Sequence, residues 1–193
     1  MRLGVFGGSF DPPHNGHLAL CLLAREMLGL DRLLVSVSRN PFKSATDASD
    51  AHRMRMAELF VGEINTTGKV AAVDRWELDH QGPSYTIDLL RRLRGEFPDA
   101  ELFLLVGEDS YRDMPGWKAS GLIPELCKIV VFRRGGGPGE NLYDGSSPPA
   151  RFIDFDMRVS ATEIRSLLGQ GASVSRLVPP AIVHYIETSG LYR

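Results

Sequence analysis

The sequence of 193 residues has only two cysteines, Cys21 and Cys127. Both sit inside apolar stretches and read as buried thiols, with no pattern for a disulfide framework or a zinc site. Long hydrophobic runs are also missing. Nothing approaches the roughly 20 apolar residues of a membrane-spanning helix. The opening MRLGVFGGSF is too short an apolar run for a secretory signal, and Asp11 follows at once. The expected location is the cytoplasm, with no membrane partner. No charge of one sign dominates: 22 basic residues face 24 acidic ones, a formal net charge of -2. That balance gives no global reason to bind nucleic acid. It still permits a small phosphate ligand, which needs only local positive charge. Hydrophobic residues at 43% and charged residues at 24% exclude disorder as the dominant state. No internal repeat or convincing domain boundary divides the chain, and residues 1–193 are read as one domain.

Short apolar segments alternate with helical patterns. Strands are expected over residues 2–6, 33–37, 69–73, 102–106, 129–132 and, as a short one, 151–153. Helices are expected over 15–28, 51–63, 84–97, 160–168 and 180–188. Residues 39–49 and 134–149 read as loops, the second rich in Gly, Pro and Ser. Continuous apolar strands separated by helices indicate an α/β fold, a Rossmann-like doubly wound parallel sheet with helices on both faces. Ligands in such sheets bind beyond the carboxyl ends of the strands. The segments 7–17, 38–43, 107–109 and 133–134 fall there.

The first of these, GGSFDPPHNGH from Gly7 to His17, carries the most chemistry. Gly7 and Gly8 let the backbone approach a ligand without a side-chain clash. Asp11, Pro12 and Pro13 stiffen the turn, and Asn15 is a plausible N-cap. Gly16 and His17 then lie in the first helical turn, where backbone N–H groups have no helical partner and an anion can bind. His14 and His17 can face the same phosphate. A plain tight turn is the bland alternative. Metal ligation by the two histidines would need further ligands at suitable spacing, and none is present.

This pattern, G-G-[ST]-F-D-P-x-H-x-G-H, resembles the nucleotidyltransferase superfamily whose signature is related to the HIGH motif of class I aminoacyl-tRNA synthetases. A second segment, Val159-Ser-Ala-Thr-Glu-Ile-Arg165, resembles the superfamily's ISSTxIR motif, with Ala161 where Ser is usual. Ser160 and Glu163 there also form a capping box. Arg165, placed in the first turn against the helix dipole, needs a partner, which a phosphate would supply. Three further segments are similar, in order, to bacterial nicotinate-nucleotide adenylyltransferases: Asn40-Pro-Phe-Lys43, Gly82-Pro-Ser-Tyr-Thr86 with Ser84 as helix cap, and Val106-Gly-Glu-Asp109 followed by Trp117. The tail from Val178 to Tyr192 fits as well, so the similarity covers nearly the whole chain.

The resemblance implies adenylyl transfer from ATP, with Mg2+, to nicotinate mononucleotide in NAD biosynthesis. It implies that His14, His17, Lys43 and Arg165 stabilise charge on phosphate. It places Gly7, Gly8, Ser9, Phe10, Asp11, Gly16, Gly107, Asp109, Arg133, Arg134, Ser160 and Thr162, with those histidines and Arg165, at ATP. It places Gly8, Asn40, Lys43, Tyr85, Thr86, Asp109 and Trp117 at the acceptor, with Trp117 stacking on the pyridine ring. Phe42 stands where the family loop commonly has histidine, so that loop's contacts are expected to differ. Transfer to nicotinamide mononucleotide or another phosphate acceptor, and non-catalytic nucleotide sensing, remain the alternatives. Self-association is left open.

Overall fold

The computed structural model describes residues 1–39, 46–133 and 148–193. Among them, six strands and eight helices follow one another along the chain. In order they are β1 (Arg2–Gly8), α1 (Asn15–Leu28), β2 (Arg32–Val37), α2 (Asp50–Ile64), β3 (Ala71–Asp74), α3 (Trp76–Asp79), α4 (Thr86–Glu96), β4 (Glu101–Gly107), α5 (Glu108–Asp113), α6 (Ile123–Leu126), β5 (Lys128–Arg133), β6 (Ala150–Asp154), α7 (Ala161–Gly169) and α8 (Pro180–Ser189). The strands form one sheet in the order β3-β2-β1-β4-β5-β6, every neighbouring pair parallel. The order reverses between β1 and β4, which makes the crevice above those two strands the natural ligand position.

The apolar strands are shared between two layers, as a period-2 backbone requires. Leu3, Val5, Leu102, Leu104 and Val106 pack on one face with Ile87, Leu90 and Leu93 of α4. Phe6, Phe103 and Leu105 pack on the other with residues of α1, α2, α7 and α8. The doubly wound expectation therefore holds, strand by strand. Helix α1 begins and ends where the sequence places it, stopping at Gly29 in the left-handed region, φ 57°, where a Cβ would be strained.

Three local expectations fail for identifiable reasons. His14, not Asn15, is the N-cap of α1: its Nδ1 accepts the His17 N–H at 3.3 Å. Asn15 instead donates from its side chain to the Arg176 carbonyl. Ser84 does not cap α4. Its hydroxyl donates to Glu77 at 2.7 Å, and the helix starts after Tyr85. Strand β3 begins at Ala71 rather than residue 69, because the Asn65 carboxamide oxygen takes the Val70 and Ala71 N–H groups.

Candidate active site

A cavity of about 490 Å3 opens at the carboxyl ends of β1 and β4. The N-terminal ends of α1, α4, α5 and α7 all contribute to its walls. Each brings the positive end of a helix dipole to that region, which suits a polyanion.

The first loop is built from the inside outward. Phe10 is buried with φ at 50°, a conformation uncommon outside glycine. It is held there by edge and tilted contacts to Phe6, His17 and Phe60 at centroid distances of 5.7, 5.6 and 5.9 Å. His14 and His17 stack at 3.6 Å with 17° between their planes. Because His14 Nδ1 accepts a hydrogen bond, the proton of the neutral ring lies on Nε2. Gly16 is what lets that ring fold under the helix. A Cβ there would stand 3.1 Å from two atoms of the His14 imidazole. Gly7 and Gly107 have a different reason to lack a side chain. Among the described residues, and apart from the chain neighbours of each glycine, no protein atom lies within 4 Å of where their Cβ atoms would be, and both line the cavity.

Asp11 lines the cavity too, but its carboxylate is committed to the protein. It accepts the Asp47 and Ala48 N–H groups at 2.8 and 3.1 Å and the Tyr192 phenol at 2.7 Å. Burial, and then that hydrogen bond to Asp11, hold the Tyr192 phenol protonated far above its ordinary range. Arg165 is the fifth residue of α7, past the first turn. The partner it needs is supplied by the protein. Its guanidinium donates to the Asp11 carbonyl at 2.9 Å and pairs with Asp47 at 2.5 Å.

The cavity walls gather Gly7, Gly8, Ser9, Phe10, Asp11, His14, Gly16 and His17 of the first loop, Tyr85 and Thr86 at the start of α4, Gly107 and Asp109 after β4, Trp117, and Ser160 and Thr162 at the start of α7. Ser160 caps α7 as expected, its hydroxyl accepting the Glu163 N–H at 3.2 Å. Arg133 and Arg165 are not among the lining residues. Arg133 turns to Asp154 of the neighbouring strand, with Nε at 2.9 Å. Asn40, Lys43 and Arg134, all expected at the site, lie outside the described residues, as does Phe42.

The model of the cytidylyltransferase-like family matches residues 5–167. A protein named "Probable nicotinate-nucleotide adenylyltransferase" in Chlorobaculum parvum is 60% identical over 100% of both chains. One of the same name in Chlorobaculum tepidum is 55% identical over 100% of this chain and 99% of its own. The chain belongs to the nicotinate-nucleotide adenylyltransferase family. A solved structure of Plasmodium falciparum nicotinic acid mononucleotide adenylyltransferase complexed with NaAD shares the fold, with a TM-score of 0.82 at 19% identity, covering 99% of this chain and 97% of that one.

In this adenylyltransferase, several residues near the site escaped sequence reasoning. Glu77 is 6% exposed and lines the cavity. It accepts Ser84 Oγ at 2.7 Å, Ser36 Oγ at 3.4 Å and the Arg39 N–H at 3.4 Å. Burial, only partly offset by those bonds, raises its carboxyl above the ordinary 4.5. Arg53 is 2% exposed. It donates to the carbonyls of Ser9 and Ser38 at 2.8 and 2.9 Å and to Asp50 at 2.7 Å. A trans peptide sets C=O and N–H antiparallel, so a Ser9 carbonyl held by Arg53 points the Phe10 N–H the opposite way. Asp50 also receives Arg39 at 2.7 Å, and its carboxyl is lowered by the bonds to Arg39 and then Arg53. Arg53 carried a sequence signal: it occupies the apolar stripe of α2 with Met56, Ala57, Phe60 and Ile64, where a charge is out of place unless paired.

Proposed function

We propose that this chain, acting as one nucleotidyltransferase domain over residues 1–193, transfers the adenylyl group of ATP to nicotinate mononucleotide. The products are nicotinate adenine dinucleotide and pyrophosphate. The observation that carries this reading is the single cavity at the sheet's reversal point, which joins the His14–His17 helix start to the Tyr85–Thr86 and Trp117 segments. One half suits a triphosphate and the other a flat ring bearing an acid.

An oxygen of the mononucleotide phosphate forms the new bond to the α-phosphorus. The bond from that phosphorus to the α,β-bridging oxygen breaks, and pyrophosphate leaves with the electron pair. The nucleophile is already anionic, so no activated side chain is required. The protein's work is positioning and charge stabilisation. His14 and His17 supply imidazole donors at the start of α1, beside the backbone N–H groups of its first turn. Gly7 and Gly107 leave room for the nucleotide against β1 and β4. Trp117 and Tyr85 offer aromatic faces to the pyridine ring. Arg165 reaches phosphate by exchanging its half-exposed Asp47 partner, a contact of little net cost to break. Lys43, Asn40 and Arg134 keep the roles the family resemblance gives them.

Among the described residues, no group of three or more His, Cys, Asp or Glu side chains is placed to hold a metal ion. The Asp11 carboxylate is already satisfied by three donors. These side chains do not fit a protein-held ion. Mg2+ enters as part of the nucleotide substrate, carried on the phosphates with its own waters. Among the described residues, no helix is long and apolar enough to cross a membrane.

The test is pyrophosphate release with MgATP and, in parallel, nicotinate mononucleotide, nicotinamide mononucleotide and phosphopantetheine. Fastest release with nicotinate mononucleotide is expected. Release with none of the three, while ATP still binds, would instead favour a nucleotide sensor.

A further inference from the structure

The charges around the cavity are unevenly distributed. Four carboxylates line it: Asp11, Glu77, Asp109 and Asp113. Among the described residues, Lys118 is the only lysine or arginine that does so. Its ammonium stands 4.4 Å from the centroid of the Tyr85 ring. It also donates to Asp88 of α4 at 3.1 Å. Asp88 is shared, because Arg91 approaches it at 3.9 Å. Lys118 therefore does not have Asp88 to itself, and its ammonium stays over the Tyr85 ring. The cation is tethered on both sides, by the π-face of Tyr85 and by Asp88, yet its side chain remains 50% exposed. It can therefore shift to meet a ligand at small cost.

We infer that Lys118 is a specificity-determining residue that selects an acceptor whose pyridine ring carries a carboxylate over one that carries a carboxamide. This rests on the proposed function, in which Tyr85 and Trp117 receive that ring. The two acceptors have nearly the same shape and differ by one negative charge. Shape and stacking cannot separate them, because both rings present the same face. A cation beside the ring can, since its attraction to a carboxylate is charge-assisted and its contact with an amide is not. The surrounding carboxylates sharpen the point. Without Lys118 the described part of the wall would present the acidic ring with Glu77, Asp109 and Asp113 and no lysine or arginine to offset them.

The experiment uses the full chain with MgATP, comparing wild type, Lys118→Met and Lys118→Arg. For each, kcat/KM is measured by pyrophosphate release with nicotinate mononucleotide and with nicotinamide mononucleotide. Methionine keeps the length of the side chain and removes the charge. The expected result is a loss of about tenfold with the acid in Lys118→Met, the scale of one partly solvated charge-assisted contact. The amide should change by less than about twofold on the same scale. Lys118→Arg should restore most of the preference. An equal loss with both acceptors would overturn the inference, because Lys118 would then serve the phosphate they share. Unchanged kcat/KM with both acceptors in Lys118→Met, beside an active wild type, would also overturn it. A wild type inactive with both mononucleotides would overturn the proposed function, and this inference with it. The three results are distinct.

Discussion

Glu77 shows how one side chain can organise a site without being legible as part of it. Its carboxylate gathers the end of β2 through Ser36, the start of the following loop through the Arg39 N–H, and the approach to α4 through Ser84. Burial raises its carboxyl above the ordinary 4.5, so the folded protein holds that proton more tightly than the unfolded chain. The sign follows from linkage: Glu77's contribution is most favourable below its ordinary value and erodes as pH rises from there through the raised folded value. Glu77→Gln removes this titration while keeping an acceptor and a donor in place. The unfolding free energy of the variant relative to wild type should therefore climb as pH is raised from 4 upward, read by urea melts at successive pH values. Parallel stability curves would show that the proton on Glu77 is not coupled to folding. Nothing in the local sequence marks this residue, because its partners come from two separate stretches, residues 36–39 and Ser84.

At the scale of the element, the start of α1 depends on a contact between neighbours in the chain. His14 caps the helix with its own ring, and Gly16 is the space into which that ring folds. An alanine inside a helix is ordinarily better than glycine by about 1 kcal/mol. Here the added Cβ would stand 3.1 Å from the imidazole, forcing the cap aside. Gly16→Ala should reverse the usual gain into a loss of about 1 kcal/mol, the worth of an N-cap, measured by denaturant unfolding. A stabilised variant would mean that His14 does not hold the helix start. The same element shows the limit of reading caps from residue type. Asparagine is a preferred N-cap and histidine is not, so the pattern favours Asn15. Asn15, however, finds Arg176 across the fold, and that partner lies far along the chain. Ser84 misleads in the same way, its hydroxyl drawn to Glu77 instead of to its own helix. Ser160 does cap its helix.

Across the whole molecule, the alternation of apolar strands and helices is enough to read the doubly wound sheet, because the four central strands β1, β2, β4 and β5 are buried on both faces. The reversal between β1 and β4 then fixes where a ligand sits, and the glycine-rich loop after β1 falls there. What the sequence could not convey was which charged groups serve the scaffold. Arg53 joins the loop after β1 at Ser9 to the end of β2 at Ser38 and to α2 at Asp50. Asp11 ties the same loop to residues 47–48 and to Tyr192 near the chain's end. Both are buried charges paired inside the fold, Arg53 through its two terminal nitrogens, and Asp11 in particular reads from its motif as a ligand contact. In the proposed function, His14 and His17 are the groups of this loop that stabilise charge on phosphate. The most direct test of that claim is the turnover of His17→Ala with saturating MgATP and nicotinate mononucleotide, set beside its unfolding free energy. Loss of the ring contacts to Phe6, Phe10 and Phe60 should cost about 1–2 kcal/mol of stability, whereas kcat should fall by about 100-fold or more, as when a donor to developing charge is removed. Near-normal turnover in a folded His17→Ala protein would contradict the account.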